Sequence, residues 1–178
     1  MEKQLRSLSI SDEFVKITFV EADYIAASNE NEEEDDKVSE HLFSVRSAIR
    51  PHKDLTDAMK KLRKLGLEAL EINVADAKDV HQWDCVAINI AGSITLQKSR
   101  LIMTLEKNVK ATGKGAKIKT GQITMYPDAE DKVKFPFADK LTPLIEDVCR
   151  EAFEYLNGKT DDDGTQYVLF PERQLVEA

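Results

Sequence analysis

Two stretches of alternating apolar and polar positions in the first third of the chain predict a pair of β-strands. Residues 14–24 are rich in β-branched and aromatic side chains, and residues 41–49 alternate at Phe43 and Val45. The acidic residues 28–37 between them offer no apolar side chain for burial. We therefore expect a β-hairpin whose two strands are joined by a mobile acidic loop.

Two further stretches have the three-to-four-residue apolar spacing of amphipathic helices. Residues 54–65 begin at Asp54, whose carboxylate suits a helix N-cap, and Gly66 follows them in the position of a C-terminal cap. Residues 141–156 carry a second apolar stripe, with Pro143 suited to the first helical position. Because such stripes pack against a core, we attach no site to them.

Alternation returns in the middle of the chain and predicts a three-stranded meander. Residues 83–91, 93–109 and 118–125 each read as a strand. In the first of these segments, strict alternation places Cys85 on the face opposite Ile88. Short connections between consecutive strands favour antiparallel pairing of the three.

The pattern as a whole predicts an α+β fold of about five strands and two helices, without an internal sequence repeat. Two architectures fit this count, an antiparallel β-sheet or a small OB-like barrel, each with two helices. We expect a single globular domain at residues 1–159. At residues 160–178 the composition changes to an acidic C-terminal tail.

The composition is typical of a globular protein with polar extensions, since 42% of the 178 residues are hydrophobic and 33% are charged. No apolar run approaches the ~18 residues that cross a bilayer, and the N-terminal segment lacks the apolar stretch of a secretory signal. Cys85 and Cys149 lie in apolar contexts far apart in sequence. We therefore expect buried thiols, no membrane association and a cytoplasmic location.

Charge is distributed unevenly around a net value of −8. Residues 29–37 hold six acids and one base, and residues 160–178 hold five acids and one base. Residues 98–119 hold seven Lys and Arg against Glu106 alone, which is a local charge of +6. The net charge argues against general adhesion to nucleic acid, whereas the segregated positive segment favours a local anionic partner.

The sequence contains no recognisable catalytic motif. His41, His52 and His81 have no metal-ligand spacing, and His52, just before a predicted helix, is expected to be a capping or surface residue. The consecutive acids at residues 32–36 and 161–163 are typical of solvated charge runs rather than of converging metal ligands. We expect no enzymatic activity, no metal and no cofactor; the alternative is an enzyme whose histidines meet carboxylates only in the folded chain.

A lysine-rich hairpin is the candidate nucleic-acid site. Its segment ATGKGAK, at residues 111–117, joins two predicted strands, whereas a phosphate-binding P-loop joins a strand to a helix. Lysines on a flexible arm follow phosphates without fixed geometry, and aromatic side chains stack on bases. The predicted binding residues are Lys98, Arg100, Lys107, Lys110, Lys114, Lys117 and Lys119, with Trp83 and Tyr126 as stacking platforms. The alternative is a solvated hairpin whose lysines keep a sheet edge from aggregating.

The tail contains the apolar pentapeptide QYVLF after an acidic spacer. It resembles the bacterial sliding-clamp-binding pentapeptide at Gln166, Leu169 and Phe170, whereas Tyr167 departs from that pattern. The resemblance implies that these four residues bind a sliding clamp or another replication protein, with the apolar side chains in a pocket of the partner. The alternative is a terminal strand or arm that packs on the domain.

The order of segments also resembles small phage-encoded proteins from replication and recombination gene clusters. The segments are the early hairpin, RPHKDLTDAMKKL, the meander, and a helix ending in EYLNGK before the Gln–Leu–Phe tail. The resemblance implies a non-catalytic accessory that binds single-stranded DNA, or RNA, in a host cytoplasm. The alternative function is an acidic protein-binding inhibitor that imitates DNA and acts on a host or defence protein. Either function is compatible with an oligomer.

Overall fold

The computed structural model describes residues 2–25, 37–72, 80–92, 99–109, 114–124 and 137–160. These residues form seven β-strands and two α-helices. The strands are β1 (Glu2–Ile10), β2 (Val15–Ile25), β3 (Lys37–Ser47), β4 (Trp83–Ala91), β5 (Arg100–Val109), β6 (Lys114–Lys119) and β7 (Ile123–Thr124). The helices are α1 (Lys53–Ala69) and α2 (Ala138–Leu156).

The strands form one antiparallel sheet in the order β3-β2-β1-β4-β5-β6, and the short β7 pairs with β5 beyond the end of β6. This confirms the predicted α+β class, the β2–β3 hairpin and the antiparallel pairing of the meander. The third strand of the meander was predicted at residues 118–125, but the structure has β6 at Lys114–Lys119 and β7 at Ile123–Thr124, so part of the predicted loop at residues 111–117 is strand. Within the described residues, β3 and β6 lie at opposite ends of the order, and no pairing joins them. Of the two predicted architectures, the antiparallel sheet is therefore the one observed.

The sequence pattern missed β1, although this strand lies at the centre of the sheet. Its apolar residues Leu5 and Leu8 are both fully buried, yet they are three positions apart. The pairing with β2 gives the reason, because a β-bulge at Arg6 shifts the register between Leu5 and Ser7. An extra residue interrupts the period-two alternation, so a bulged strand does not show the pattern by which strands are predicted.

Among the described residues, both halves of the chain have three antiparallel strands followed by a helix, and the second half adds the two-residue strand β7 before its helix. β1 and β4 meet at the centre through three residue pairs, Ser7–Asn89, Leu8–Ile88 and Ser9–Ala87. These pairs are symmetric about Leu8–Ile88, so residue n of β1 has the equivalent position to residue n + 80 of β4. The bulges follow the same relation, because β1 is interrupted between Leu5 and Ser7 and β4 between Cys85 and Ala87. The second bulge places Cys85 in the core with Ile88, so the prediction from strict alternation was wrong.

The sheet opens on both sides of this three-pair junction. One cleft, of about 290 Å³, lies between Ile10 and Cys85 beside α1. A second cleft, of about 250 Å³, lies between Leu5 and Ile90 beside α2. These residues are related by the same interval of 80 positions, so the two clefts are equivalent features of the two halves.

Helix α1 extends beyond the predicted residues at both ends. His52 is its N-cap, and the ring Nδ1 of His52 accepts a hydrogen bond from the Leu55 amide at 3.3 Å, which confirms the capping role. Gly66 lies inside the helix, so the prediction that it follows the helix as a C-terminal cap was wrong. A Cβ at Gly66 would lie 3.0 Å from the Leu105 side chain, so glycine allows α1 to approach β5 closely.

Both helices pack on one face of the sheet and against each other. Helix α2 begins at Ala138, earlier than predicted, so that Pro143 lies within the helix and not at its first position. The apolar side chains of sheet and helices form one core cluster, in which Leu8 and Tyr155 are among the most buried. Among the described helices, none is long and apolar enough to cross a membrane.

Leu8 tests the central position of β1, which the sequence pattern did not predict. Leu8→Ala should lower the free energy of unfolding by about 2–5 kcal/mol, because the side chain is fully buried and its removal leaves a cavity. Ile118→Ala is the control, since Ile118 lies on the edge strand β6 with 41% of its surface exposed and should cost less than about 1 kcal/mol. Chemical denaturation measures both values, and equal losses would contradict the assignment.

Candidate nucleic-acid interface

The face of the sheet opposite α1 and α2, here called the outer face, is covered by no helix among the described residues. Cross-strand pairing defines a row of outer-face residues that crosses all six principal strands. In spatial order from β3 to β6, the row is Arg46, Lys16, Ser9, Ala87, Thr104 and Lys119. With strands about 4.8 Å apart, this row spans about 24 Å. Its ends are cationic and its centre has small side chains.

A second row runs beside the first and continues the small polar surface. From β3 to β5 it consists of Ser44, Thr18, Ser7, Asn89 and Ile102. The hydroxyl groups of Thr18 and Ser44 lie 3.4 Å apart, in hydrogen-bonding range. Together the two rows form a strip of short side chains whose hydroxyl and amide groups are available at the surface.

Cations flank this strip at both ends of the sheet. At the β2–β3 end, Lys16 is exposed, and the guanidinium of Arg46 stacks over the Phe14 ring at 3.9 Å from its centroid. At the β5–β6 end, Lys119 is exposed, and Lys117 forms a 3.6 Å ion pair with Glu106. The two groups of cations therefore lie on one face but on opposite sides of the central junction.

The structure places three of the predicted binding residues together on the outer face, namely Arg100, Lys117 and Lys119. Arg100 is exposed and donates a hydrogen bond to the Gln122 side chain at 3.3 Å. Lys107 and Trp83 lie elsewhere. Trp83 packs against the core cluster on the helix-covered face, and the Lys107 ammonium lies 5.6 Å from the centre of its ring.

The structure describes the side chains of none of the remaining predicted residues. The backbone of Lys114 pairs with Val109 at the start of β6. The other predicted residues that lie outside the described part of the chain are Lys98, Lys110, Tyr126, Gln166, Tyr167, Leu169 and Phe170.

Sequence reasoning missed the second cationic group, Lys16 and Arg46. The prediction followed clusters of charge along the chain, whereas these two residues are separated by the whole β2–β3 hairpin and meet only through pairing. A signal was nevertheless present, because both occupy the polar positions of alternating strands whose apolar positions are buried in β2 and partly buried in β3. The face of the sheet that each strand residue occupies, rather than local charge density, would have identified them.

The described residues hold a different charge from the whole chain. They contain 19 Lys and Arg against 17 Asp and Glu, a net charge of +2 inside a protein of −8. The excess of acid, a net −10, therefore belongs to the segments outside them, chiefly residues 26–36 and 161–178. The folded surface that the structure describes is thus compatible with an anionic ligand.

A second polar cluster joins the start of α1 to the end of α2. His52, Asp54 and Glu151 bring potential ligand atoms within 4.8 Å of one another, so one histidine does meet carboxylates in the folded chain. The buried His52 ring donates through Nε2 to the Glu151 carbonyl at 3.2 Å and accepts at Nδ1 from the Leu55 amide. Both ring nitrogens are therefore engaged in structural hydrogen bonds.

The Lys159 ammonium joins the two carboxylates of this cluster. Its Nζ lies 2.8 Å from Asp54 Oδ2 and 2.9 Å from Glu151 Oε2. These bonds to Lys159 hold the pKa of both carboxyls below the usual range, and they raise the pKa of Lys159 itself. Because one lysine already pairs with both carboxylates and both histidine nitrogens are hydrogen-bonded, the cluster is suited to clamping the two helices rather than to catalysis.

Both cysteines are free, as predicted from their apolar contexts. Cys85 is buried beneath the first cleft and Cys149 is half-buried beside the second. Burial raises the pKa of each thiol to about 12. Since the thiolate is the nucleophilic form, neither residue is suited to nucleophilic chemistry near neutral pH.

Comparison of the chain with protein-family models, with curated proteins and with solved structures gave no match. The arrangement of the described residues alone therefore defines the class of protein: an α+β protein whose open antiparallel sheet carries its helices on one face and a polar strip flanked by cations on the other.

The Lys159 clamp predicts how stability changes with acid. The depressed pKa of Glu151 means that the clamp stabilises the fold above the ordinary carboxyl pKa of 4.5, and that this contribution is lost as the pH falls through the lowered value. Lys159→Met should therefore lower the melting temperature by a few degrees at pH 7 and by less at pH 3. Thermal melts across this range measure the difference, and an equal effect at both pH values would contradict the clamp.

Proposed function

We propose that this protein is a non-catalytic accessory that binds single-stranded nucleic acid on the outer face of its sheet. The observation that carries the proposal is the row from Arg46 to Lys119, which crosses six strands with cations at both ends and small side chains between them. A strand lying along this row would meet positive charge at Lys16 and Arg46, cross the junction, and meet it again at Lys119.

The chemistry of the strip favours contact with the phosphate backbone over reading of bases. Short side chains such as Ser7, Ser9 and Ala87 let a nucleic-acid backbone approach the sheet closely, and the hydroxyls of Ser7 and Ser9 are donors for phosphate oxygens. Among the described residues of the two rows, none is aromatic, so base stacking would contribute little beyond Phe14 at one end. Affinity should therefore depend on salt and be similar for different base sequences.

The biological setting of the proposal rests on the resemblances of the sequence. They favour a phage-type replication or recombination accessory that binds single-stranded DNA, with RNA as the alternative polymer. In that setting, Gln166, Tyr167, Leu169 and Phe170 would recruit a sliding clamp or another replication protein. The acidic tail would also compete with nucleic acid for the cations of the outer face, because both are polyanions.

The alternative, an acidic inhibitor that imitates DNA, requires a dense negative surface. The described residues carry no excess of negative charge, since their net charge is +2. The excess acid that such an inhibitor would use belongs chiefly to residues 26–36 and 161–178. The charge of the described surface therefore favours nucleic-acid binding as the better-supported function.

Cations on the two faces of the protein allow a matched test of the binding surface. The triple variant Lys16→Ala, Arg46→Ala and Lys119→Ala removes the cations of the row. Binding of a fluorescent oligothymidylate should weaken, and the slope of log affinity against log salt should fall by about 2, since each single-strand phosphate contact contributes about 0.7. Titrations between about 50 and about 200 mM salt measure both quantities.

The control triple Lys53→Ala, Lys61→Ala and Lys64→Ala removes the same charge from the exposed side of α1. It should leave the salt slope nearly unchanged, since these residues lie on the helix layer. Equal loss in both triples would mean that only net charge matters. No binding by the unmodified protein at the lower salt would remove the proposal altogether.

Lys107 and Lys119 distinguish binding on the outer face from binding by the basic segment as a whole. Both belong to the basic segment of the sequence, but Lys119 is on the outer face and Lys107 is packed over Trp83 on the other. Lys119→Ala should therefore weaken oligonucleotide binding severalfold, whereas Lys107→Ala should have little effect. The same fluorescence titration measures both, and a larger loss for Lys107→Ala would contradict the assignment of the face.

A further inference from the structure

The second cleft, beside α2, can be compared position by position with its equivalent beside α1. Each helix lines its cleft with a hydroxyl residue, an apolar residue and a charged residue at the same spacing along the helix. These residues are Thr56, Met59 and Lys60 in the first cleft, and Thr142, Ile145 and Glu146 in the second. The hydroxyl and apolar positions thus match, whereas the cation of the first cleft is replaced by an anion in the second.

The sheet contributes another difference at equivalent positions. Asp84 lines the first cleft and Gln4 lines the second, and these two residues are related by the same interval of 80 positions. Asp84 lies opposite Glu106 across the sheet, whereas Gln4 lies opposite Val20, a buried apolar residue. The charged position of the first cleft therefore corresponds in the second to a neutral amide with an apolar neighbour.

The charged groups at the matched positions of the first cleft already have partners. Asp84 Oδ1 lies 3.8 Å from Nη1 of Arg63, which is on α1. Lys60 Nζ lies 3.3 Å from Oδ1 of Asp57, one turn earlier on the same helix. These positions therefore need no ligand to complete their interactions.

The second cleft has acceptors without donors. Gln4 Oε1 is buried and has no hydrogen-bond partner among the described residues. Glu146 is exposed, and none of the ion pairs between described residues includes its carboxylate. Buried polar atoms are nearly always hydrogen-bonded, and an unpaired one destabilises the fold. A ligand that donates hydrogen bonds would remove this deficit at Gln4.

The remaining lining residues limit the size and the charge of such a ligand. Leu5, Ile90 and Ile145 belong to the core cluster and give the cleft apolar walls. A volume of about 250 Å³ lies below the ~300–1,000 Å³ of pockets for drug-sized ligands, so the ligand would have only a few carbon atoms. The described lining residues include no Lys, Arg or His, so an anion would meet the Glu146 carboxylate without a countercharge.

We propose that the second cleft is a binding site for a small primary alkylammonium. Its N–H groups would donate to Gln4 Oε1, its charge would be balanced by the Glu146 carboxylate, and its alkyl chain would pack against the apolar walls. An ammonium group suits this pair because it has three donors and no acceptor. This inference does not depend on nucleic-acid binding, since none of the residues that line the cleft belongs to the two polar rows.

An NMR titration of the full chain with n-butylamine tests the site and its chemistry. The amine is protonated near neutral pH, and the ionic strength is held constant. Saturable shift changes should occur at Leu5, Ile90 and Ile145 of the second cleft. Butan-1-ol, which has the same chain without the charge, should bind more weakly. Equal affinity for the alcohol, changes confined to the first cleft, or no saturable change would overturn the proposal.

Two substitutions test the proposed contacts. Gln4→Met keeps a side chain of similar length but removes the acceptor, so it should weaken butylamine binding at least about tenfold without lowering the melting temperature. Glu146→Gln removes the countercharge at an exposed position and should weaken binding by up to about fivefold. Unchanged affinity in either variant would overturn the proposal.

Asp84→Asn is the matched control for charge. It removes one negative charge beside the equivalent first cleft, so it changes the net charge of the protein by the same amount as Glu146→Gln. Butylamine binding should be unchanged in this variant. A loss equal to that of Glu146→Gln would mean that the amine responds only to net charge, which would contradict a site in the second cleft.

Discussion

The pairing of β1 with β4 is the constraint on which the rest of the structure depends. Three residue pairs, centred on Leu8 and Ile88, join two halves of the same topology. On the inner side, Leu8 and Ile88 enter the core beneath the two helices. On the outer side, the pairs Ser7–Asn89 and Ser9–Ala87 make the two polar rows continuous across the sheet. Without this junction, the cations of β2 and β3 would not share a face with those of β6.

The junction between β1 and β4 is only three residue pairs long, and this affects the sheet on both sides of it. Strands twist relative to one another, and two strands that pair over only three residues separate on either side of them. The two equivalent clefts lie on either side of the junction, and the bulges lie on the same two strands at equivalent positions. The proposed path of a nucleic-acid strand crosses the junction over small side chains.

Stability and the proposed function are divided between the two faces of the sheet. The inner face holds the apolar core and the helices, and the Lys159 clamp joins the two helices at their edge. Among the residues that the structure describes, the outer face contributes two buried apolar side chains beyond the core cluster, Val20 and Ala22. Substitutions at the polar rows can therefore change binding while the packing of the core is retained.

Sequence patterns predicted those parts of the fold in which periodicity is intact. Strand β2 and the cores of both helices follow alternation or helical spacing without interruption, and they were predicted. Strand β1 was missed because its bulge breaks the alternation, and the same effect in β4 gave Cys85 the wrong face. The repeated topology of the two halves is also not visible in the sequence, because equivalent buried positions need apolar side chains but not the same residue.

Only part of the candidate site could be predicted, for a related reason. Local charge density found Arg100, Lys117 and Lys119, which are close in sequence. It also selected Lys107, which alternation assigns to the other face. It could not find Lys16 or Arg46, because their proximity to each other and to the row arises from long-range pairing. A surface assembled from six strands is a property of the sheet order, which no single segment of the sequence encodes.

The most direct test of the central claim is an NMR titration of the full chain with an unlabelled single-stranded oligonucleotide. The account predicts that the largest changes in amide shift occur along the two polar rows, from Arg46 and Lys16 through Ser9 to Thr104 and Lys119, on both sides of the junction. Changes confined to one half of the sheet would mean that the rows do not act as one surface. Changes confined to α1 and α2, or the absence of any change at low salt, would contradict the claim.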